Sequence, residues 1–97
     1  MLETENGKRM KDSLIGRFAT SKAGHDKDSL YVIVAEDGDF VSLCDGRLKT
    51  IDKPKRKRRK HVQMINRTVD EKLLQKLYDK EKILDEEIKY ELKNYYL

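Results

Sequence analysis

The stretch "EDGDFVSLCDG" at residues 36–46 constrains the fold more than any other. It holds two Asp-Gly pairs, Asp37-Gly38 and Asp45-Gly46, eight residues apart, with the apolar run "FVSLC" between them. Glycine tolerates the positive φ that a tight two-residue turn demands, so an Asp-Gly pair between apolar runs reads as a hairpin turn. Before the first pair, "LYVIVAE" is dense in β-branched and aromatic residues and predicts a central strand. Upstream, "LIGRFATSK" is a shorter apolar-polar segment; after the second pair, "RLKTI" is expected to return as a further strand of an antiparallel meander. Pro54 has no N–H for a ladder and is expected to stop regular pairing, and "HVQMI" then supplies a closing strand. Five short strands in about 50 residues predict a small β-barrel, in which closure protects the edges.

At Thr68 the pattern changes. "TVDE" has the spacing of a capping box, in which the Thr68 hydroxyl accepts from the Glu71 amide and the Glu71 side chain reaches back. Val69, Leu73 and Leu77 recur at four-residue steps, with Leu74 and Tyr78 beside them, and predict one amphipathic helical face. A break is expected around "DKEK". A second helix then starts near Asp85, with "DEE" in its first turn suiting the helix dipole. Its inner stripe is Ile88, Leu92 and Tyr95 or Tyr96, so the aromatic residues of "NYYL", with Tyr90, read first as packing and only second as base-stacking groups. The tail is a helical hairpin or bent helix packed against the barrel.

The run "KPKRKRRKH" carries seven cations in the eight residues from Lys53 to Lys60. Such side chains repel one another and gain by meeting polyphosphate. Extended at about 3.3 Å per residue, the run reaches roughly 26 Å, enough to follow several phosphates. Arg56, Arg58 and Arg59 can grip phosphate oxygens as forks, while Lys53, Lys55, Lys57 and Lys60 act as mobile point charges and His61 closes the run. A nuclear-type address fits less well, because the run lies between two predicted strands. Lys22, Gly24, His25 and Lys27 before the central strand, with Arg47 and Lys49 after the second turn, form a second candidate patch. Residues 1–67 hold 16 Lys/Arg against 10 Asp/Glu, a charge of +6, whereas residues 68–97 hold 6 against 8, a charge of −2. The anionic partner is therefore expected at the front of the chain.

Other chemistries find little support. Cys44, the single cysteine, cannot form an internal disulfide and sits in a predicted strand, so it reads as a packed thiol in a reducing cytoplasm. His25 and His61 lack metal-site spacing, Asp37, Asp39 and Asp45 are accounted for by turns, and no phosphate loop is present. No apolar run approaches the roughly 20 residues that span a membrane. The expectation is no enzyme, no metal, no cofactor and no small-molecule substrate.

Residues 14–66 carry a resemblance. "IGRFATSKAGHDKDSLYVIV" looks like a KOW motif, the RNA-binding segment of several ribosomal proteins and transcription elongation factors. The longer pattern, with Asp45, Gly46, Lys49, Ile51, Pro54, the run to Arg59 and then Lys60-His61, resembles small bacterial KOW-domain proteins related to the large-subunit ribosomal protein fourteen of archaea and eukaryotes. The resemblance implies a mainly β fold with α, an SH3-like barrel over 13–67 with a basic loop at 53–61. A flexible extension at 1–12 would precede it, and a helical appendage at 68–97 would follow. It also implies binding to ribosomal RNA or association with large-subunit ribosomal proteins, with an RNA-facing loop at Ser21–Lys27 centred on Gly24. The pI of about 9.1 fits an accessory factor better than a permanent ribosomal component. The competing expectation is a protein-interaction module of the transcription or translation machinery, docking through the barrel or through Leu73 and Leu77, with the basic run only assisting.

Overall fold

The computed structural model describes residues 13–22 and 29–97. Residues 1–12, the expected extension, lie outside the described residues, as does most of the Ser21–Lys27 loop. Five strands form one antiparallel sheet: β1 (Arg17–Ser21), β2 (Leu30–Asp37), β3 (Phe40–Cys44), β4 (Lys55–Arg58) and β5 (Val62–Thr68), in the spatial order β4-β3-β2-β1-β5. The β2–β3 hairpin turns through Gly38-Asp39, with Asp37 opposite Phe40 and Gly38 at φ +60°. Positive φ at the first central residue gives the turn a twist that matches the flanking strands.

Side chains alternate along these strands and build two separate clusters, one on each face of the sheet. Tyr31 and Ile33 of β2 meet Ala19, Val41, Leu43 and Val62 on one face. Val32 points the other way and meets Phe18 and Cys44. Burial on both sides explains why "LYVIV" has no polar alternation. The sheet also curls. Lys57 of β4 donates from Nζ to Ser21 Oγ of β1 at 2.7 Å, although two strands lie between them in the sheet order. In a flat sheet those strands would stand roughly 14 Å apart, beyond the reach of one lysine. Register slips between Ile33 and Ala35 in β2, and between Arg17 and Ala19 in β1, mark the irregularities that let strands bend in this way.

The second face is covered by helices α1 (Glu71–Asp79) and α2 (Asp85–Tyr95). Val69, Leu73, Leu77, Ile83 and Ile88 join Phe18, Val32 and Cys44 in one core, so the helices complete the domain instead of hanging from it. Thr68 does not cap α1, because it ends β5. Asp70 takes that place, its carboxylate accepting from Lys72 N at 2.9 Å. Lys80 closes α1 in the left-handed region at φ 56°. The reaching-back glutamate occurs on α2 instead, where Leu84 N donates to Glu87 Oε2 at 3.0 Å. Tyr95 is the inward tyrosine, its ring centroid 4.9 Å from that of Phe18, while Tyr96 is exposed. Among the described residues no helix is long and apolar enough to cross a membrane.

Two expectations for the middle of the chain fail together. "RLKTI" forms no strand. The Asp45 carboxylate accepts from the amides of Arg47 (2.8 Å) and Lys49 (2.9 Å), while Asp45 N and Gly46 N both donate to Lys49 O, so the segment closes on itself as a turn. This turn rests on the start of α2. Ile51 N donates to Asp85 Oδ1 at 2.9 Å, and a Cβ on Gly46 would come within 2.6 Å of Asp85 O. The vacant position beside β3 is filled from the basic run, which is therefore not a loop. Lys55–Arg58 is edge strand β4, and Arg59–His61 is a 3-10 turn leading into β5. Pro54 directly precedes β4, where its missing N–H costs no ladder bond.

Candidate nucleic-acid interface

Strand geometry sorts the basic run into two sets. Arg56 and Arg58 pair with Ser42 and Phe40, and both guanidinium groups lie over the Phe40 ring, at 4.2 and 4.8 Å from its centroid. The ring holds them by its quadrupole without cancelling their charge. Residues two apart on a strand are about 7 Å apart, a spacing comparable to neighbouring phosphates of a nucleic-acid strand. Arg56 also lies 3.7 Å from Asp37, but both side chains are mostly exposed, and such a pair contributes little.

Lys55 and Lys57 pair with Leu43 and Val41 on the opposite face and are half-buried. Lys57 is the residue that ties β4 to β1. Burial lowers the Lys55 pKa from its ordinary value, and the Lys57 charge lowers it further. Arg59 is likewise taken up by the fold. Its Nη2 donates to Glu36 Oε1 at 2.9 Å, and the other Glu36 oxygen accepts from Ser13 Oγ and Leu14 N. Its amide donates to Asp39 O at 2.7 Å.

Lys60 and His61 are exposed in the 3-10 turn, and Lys22 N donates to His61 O at 2.9 Å, which brings Lys22 beside them. Arg58, Arg59 and Lys60, with Asp39, line a shallow pocket of about 380 Å³. Lys53 is exposed in the bend ahead of β4. One positive stripe thus runs along Arg56, Arg58 and Lys60, with Lys22 and His61 at its end.

Other expected members fall elsewhere. Gly24, His25 and Lys27 lie outside the described residues. Lys49 is half-buried in the turn closed by Asp45, and Arg47 lines a separate groove beside α2 together with Lys89 and Lys93. Phe40, which holds the two arginines, went unread because its meaning appears only once the β3–β4 register is known. Cys44 is fully buried, and burial, followed by the charges of Asp85 and Asp45, pushes its thiol up to about 12, far from a reactive thiolate. Among the described residues no group of three His, Cys, Asp or Glu side chains is placed to hold a metal ion. Leu73 and Leu77 are buried against the sheet, so a partner docking on α1 would have to use other residues. The chain matches no protein-family model and no curated protein sequence.

Proposed function

We propose that this protein binds structured RNA, ribosomal RNA of the large subunit in particular, through the outer face of β4 and the 3-10 turn that follows. The observation that carries the reading is the pair Arg56 and Arg58 held over the Phe40 ring, continued by Lys60, Lys22 and His61. Four cations with an imidazole beside them meet a phosphate backbone and its shape, and they carry no base-specific donor pattern. The fold would be an SH3-like barrel. Support comes from the strand order β4-β3-β2-β1-β5, the 3-10 turn between β4 and β5, and the Lys57–Ser21 contact across the curl. The protein would act in the cytoplasm as an accessory ribosome-associated factor and not as an enzyme.

The structure dictates which substitutions test this. Lys57 and Arg59 bond to β1 and β2, so changing them confounds binding with stability; Arg56 and Arg58 contact the β2–β3 hairpin only through the Phe40 ring and the exposed Asp37, and Lys60 is exposed. The triple variant Arg56→Ser, Arg58→Ser, Lys60→Ser should still unfold in one cooperative step, losing no more than the two exposed Phe40 contacts contribute, about 1–2 kcal/mol. Its affinity for large-subunit RNA should fall, and its log K against log salt slope should become shallower by about 2 to 3, one phosphate contact per residue. Unchanged affinity and slope would overturn the reading, and tighter binding to duplex DNA than to RNA would redirect it. In lysate, the wild-type chain should sediment with the large subunit at low and moderate salt.

A further inference from the structure

Tyr90 and Tyr95 of α2, with Tyr96 at its C-cap, divide into two kinds. Tyr95 packs on Phe18, whereas Tyr90 and Tyr96 are 64% and 72% exposed. Both exposed rings line one open groove of about 830 Å³, and the same groove is lined by Arg47, Lys89 and Lys93. Half-buried Leu30 and Leu92 contribute to its lining. Two carboxylates also border it. Asp45 is oriented inward by the amides of Arg47 and Lys49, whose hydrogen bonds it accepts, and the lining still holds three cations against two carboxylates. Lys89 and Lys93 are one helical step apart on a common face, and Tyr96 follows Tyr90 by six positions, about 9 Å along the axis. That interval leaves room for each ring to take a base from the same short strand.

Two aromatic faces with cations between them are the ingredients of a single-stranded nucleic-acid site. Bases stack on the rings and the backbone follows the positive charge. A duplex cannot use the rings, because its bases are already stacked on one another; only splayed, unpaired bases can. An acidic peptide would use the cations and leave the rings in water.

We propose that this groove binds a short unpaired RNA segment, with Tyr90 and Tyr96 stacking on bases and Arg47, Lys89 and Lys93 meeting the phosphates. The inference rests on the RNA reading above and divides the labour. The β4 stripe takes the backbone of a folded region, and the groove takes unpaired nucleotides that flank it.

The test uses two RNAs that share one duplex, one blunt and one with an unpaired extension of about six nucleotides, within the usual footprint of such sites. The full chain should prefer the extended RNA. Tyr90→Ser/Tyr96→Ser should lose at least about thirtyfold on the extended RNA and nothing on the blunt one, the low end for two lost stacking contacts. Tyr90→Phe/Tyr96→Phe should restore the affinity, since the π face and not the hydroxyl does the binding. 4-Thiouridine placed in the extension should crosslink to the peptide that carries Tyr90 or Tyr96. Wild-type affinity of the Ser variant for the extended RNA would overturn the proposal, and so would an equal loss on both RNAs. The Arg56, Arg58, Lys60 triple variant, run alongside, separates the two readings. If it loses affinity for both RNAs while the tyrosine variant loses none, the stripe stands and the groove falls. If it binds both RNAs like wild type, the stripe falls whatever the groove does. Failure of the wild-type chain to bind either RNA would overturn both.

Discussion

Gly46→Ala is the sharpest probe of how the turn after β3 supports α2. Gly46 sits at φ +78°, and a Cβ there would lie 2.6 Å from Asp85 O and 2.9 Å from Lys89 Cγ. The left-handed conformation alone costs an alanine about 1–2 kcal/mol. Forcing a methyl against helix backbone adds about 1–3 kcal/mol, because Asp85 O belongs to the first turn of α2 and cannot swing aside as a side chain would. Lower entropy of the unfolded alanine chain returns about 0.4–1 kcal/mol. The net loss is therefore about 2–4 kcal/mol. Gly38→Ala is the matched control, with φ +60° but no atom within 4 Å of the added Cβ. It keeps the conformational cost and omits the clash. Thermal unfolding followed by far-UV circular dichroism compares the two. At about 4–8 °C per kcal/mol for a domain of this size, Gly46→Ala should melt at least about 5 °C below Gly38→Ala. Equal melting temperatures would refute the argument that α2 is held against this turn by close backbone approach.

Ile88→Ala removes a fully buried side chain from the core shared by helices and sheet, and should cost about 2–5 kcal/mol in urea unfolding. Far-UV and near-UV signals should fall together in that variant; loss of helix alone would disprove a common core. Cys44 should resist alkylation at pH 8 in the native protein and react fully in denaturant, as expected of a thiol whose pKa stands at about 12. Glu87 is held below its ordinary carboxyl pKa of 4.5, first by the Leu84 amide and then by Lys76 at 3.0 Å. Its contribution is therefore complete above about pH 4.5 and disappears as pH falls through the lower folded value. The stability gap between wild type and Glu87→Gln should be flat at neutral pH and close in acid. Arg59→Ser should lower the melting temperature in thermal unfolding by breaking the contact with Glu36, and Glu36→Gln should lower it by a similar amount.

The hairpin, the two-sided central strand and both helices were legible because each rests on a local rule. Gly38 needs positive φ, "LYVIV" needs two covered faces, and Leu73 and Leu77 repeat at the helical period. The fourth strand was not legible, because the decisive interactions are not local. Arg47 to Ile51 has ordinary strand composition, but one carboxylate, Asp45, captures its amides and folds it into a turn. Four consecutive cations have poor strand character by themselves. Lys55–Arg58 pairs because β3 offers a free edge, Phe40 receives two of its arginines and Ser21 receives Lys57. The cap of α1 moved from Thr68 to Asp70 for a similar reason, since β5 needs Thr68 opposite Arg17. At the candidate interface, charge was readable from composition, but the division into outward Arg56 and Arg58 and structural Lys57 and Arg59 required the register.

Among the described residues β4 lies at one end of the sheet order, the place where a strand from another molecule would approach. All four of its residues are cationic. A second copy approaching edge to edge brings like charges together, so the stripe also keeps copies of this chain apart. That protection depends on ionic strength, because screening shortens from about 8 Å at physiological salt to about 3 Å at 1 M. Concentrated salt therefore lowers the barrier to edge-to-edge association, and neutralising substitutions in β4 should reduce solubility.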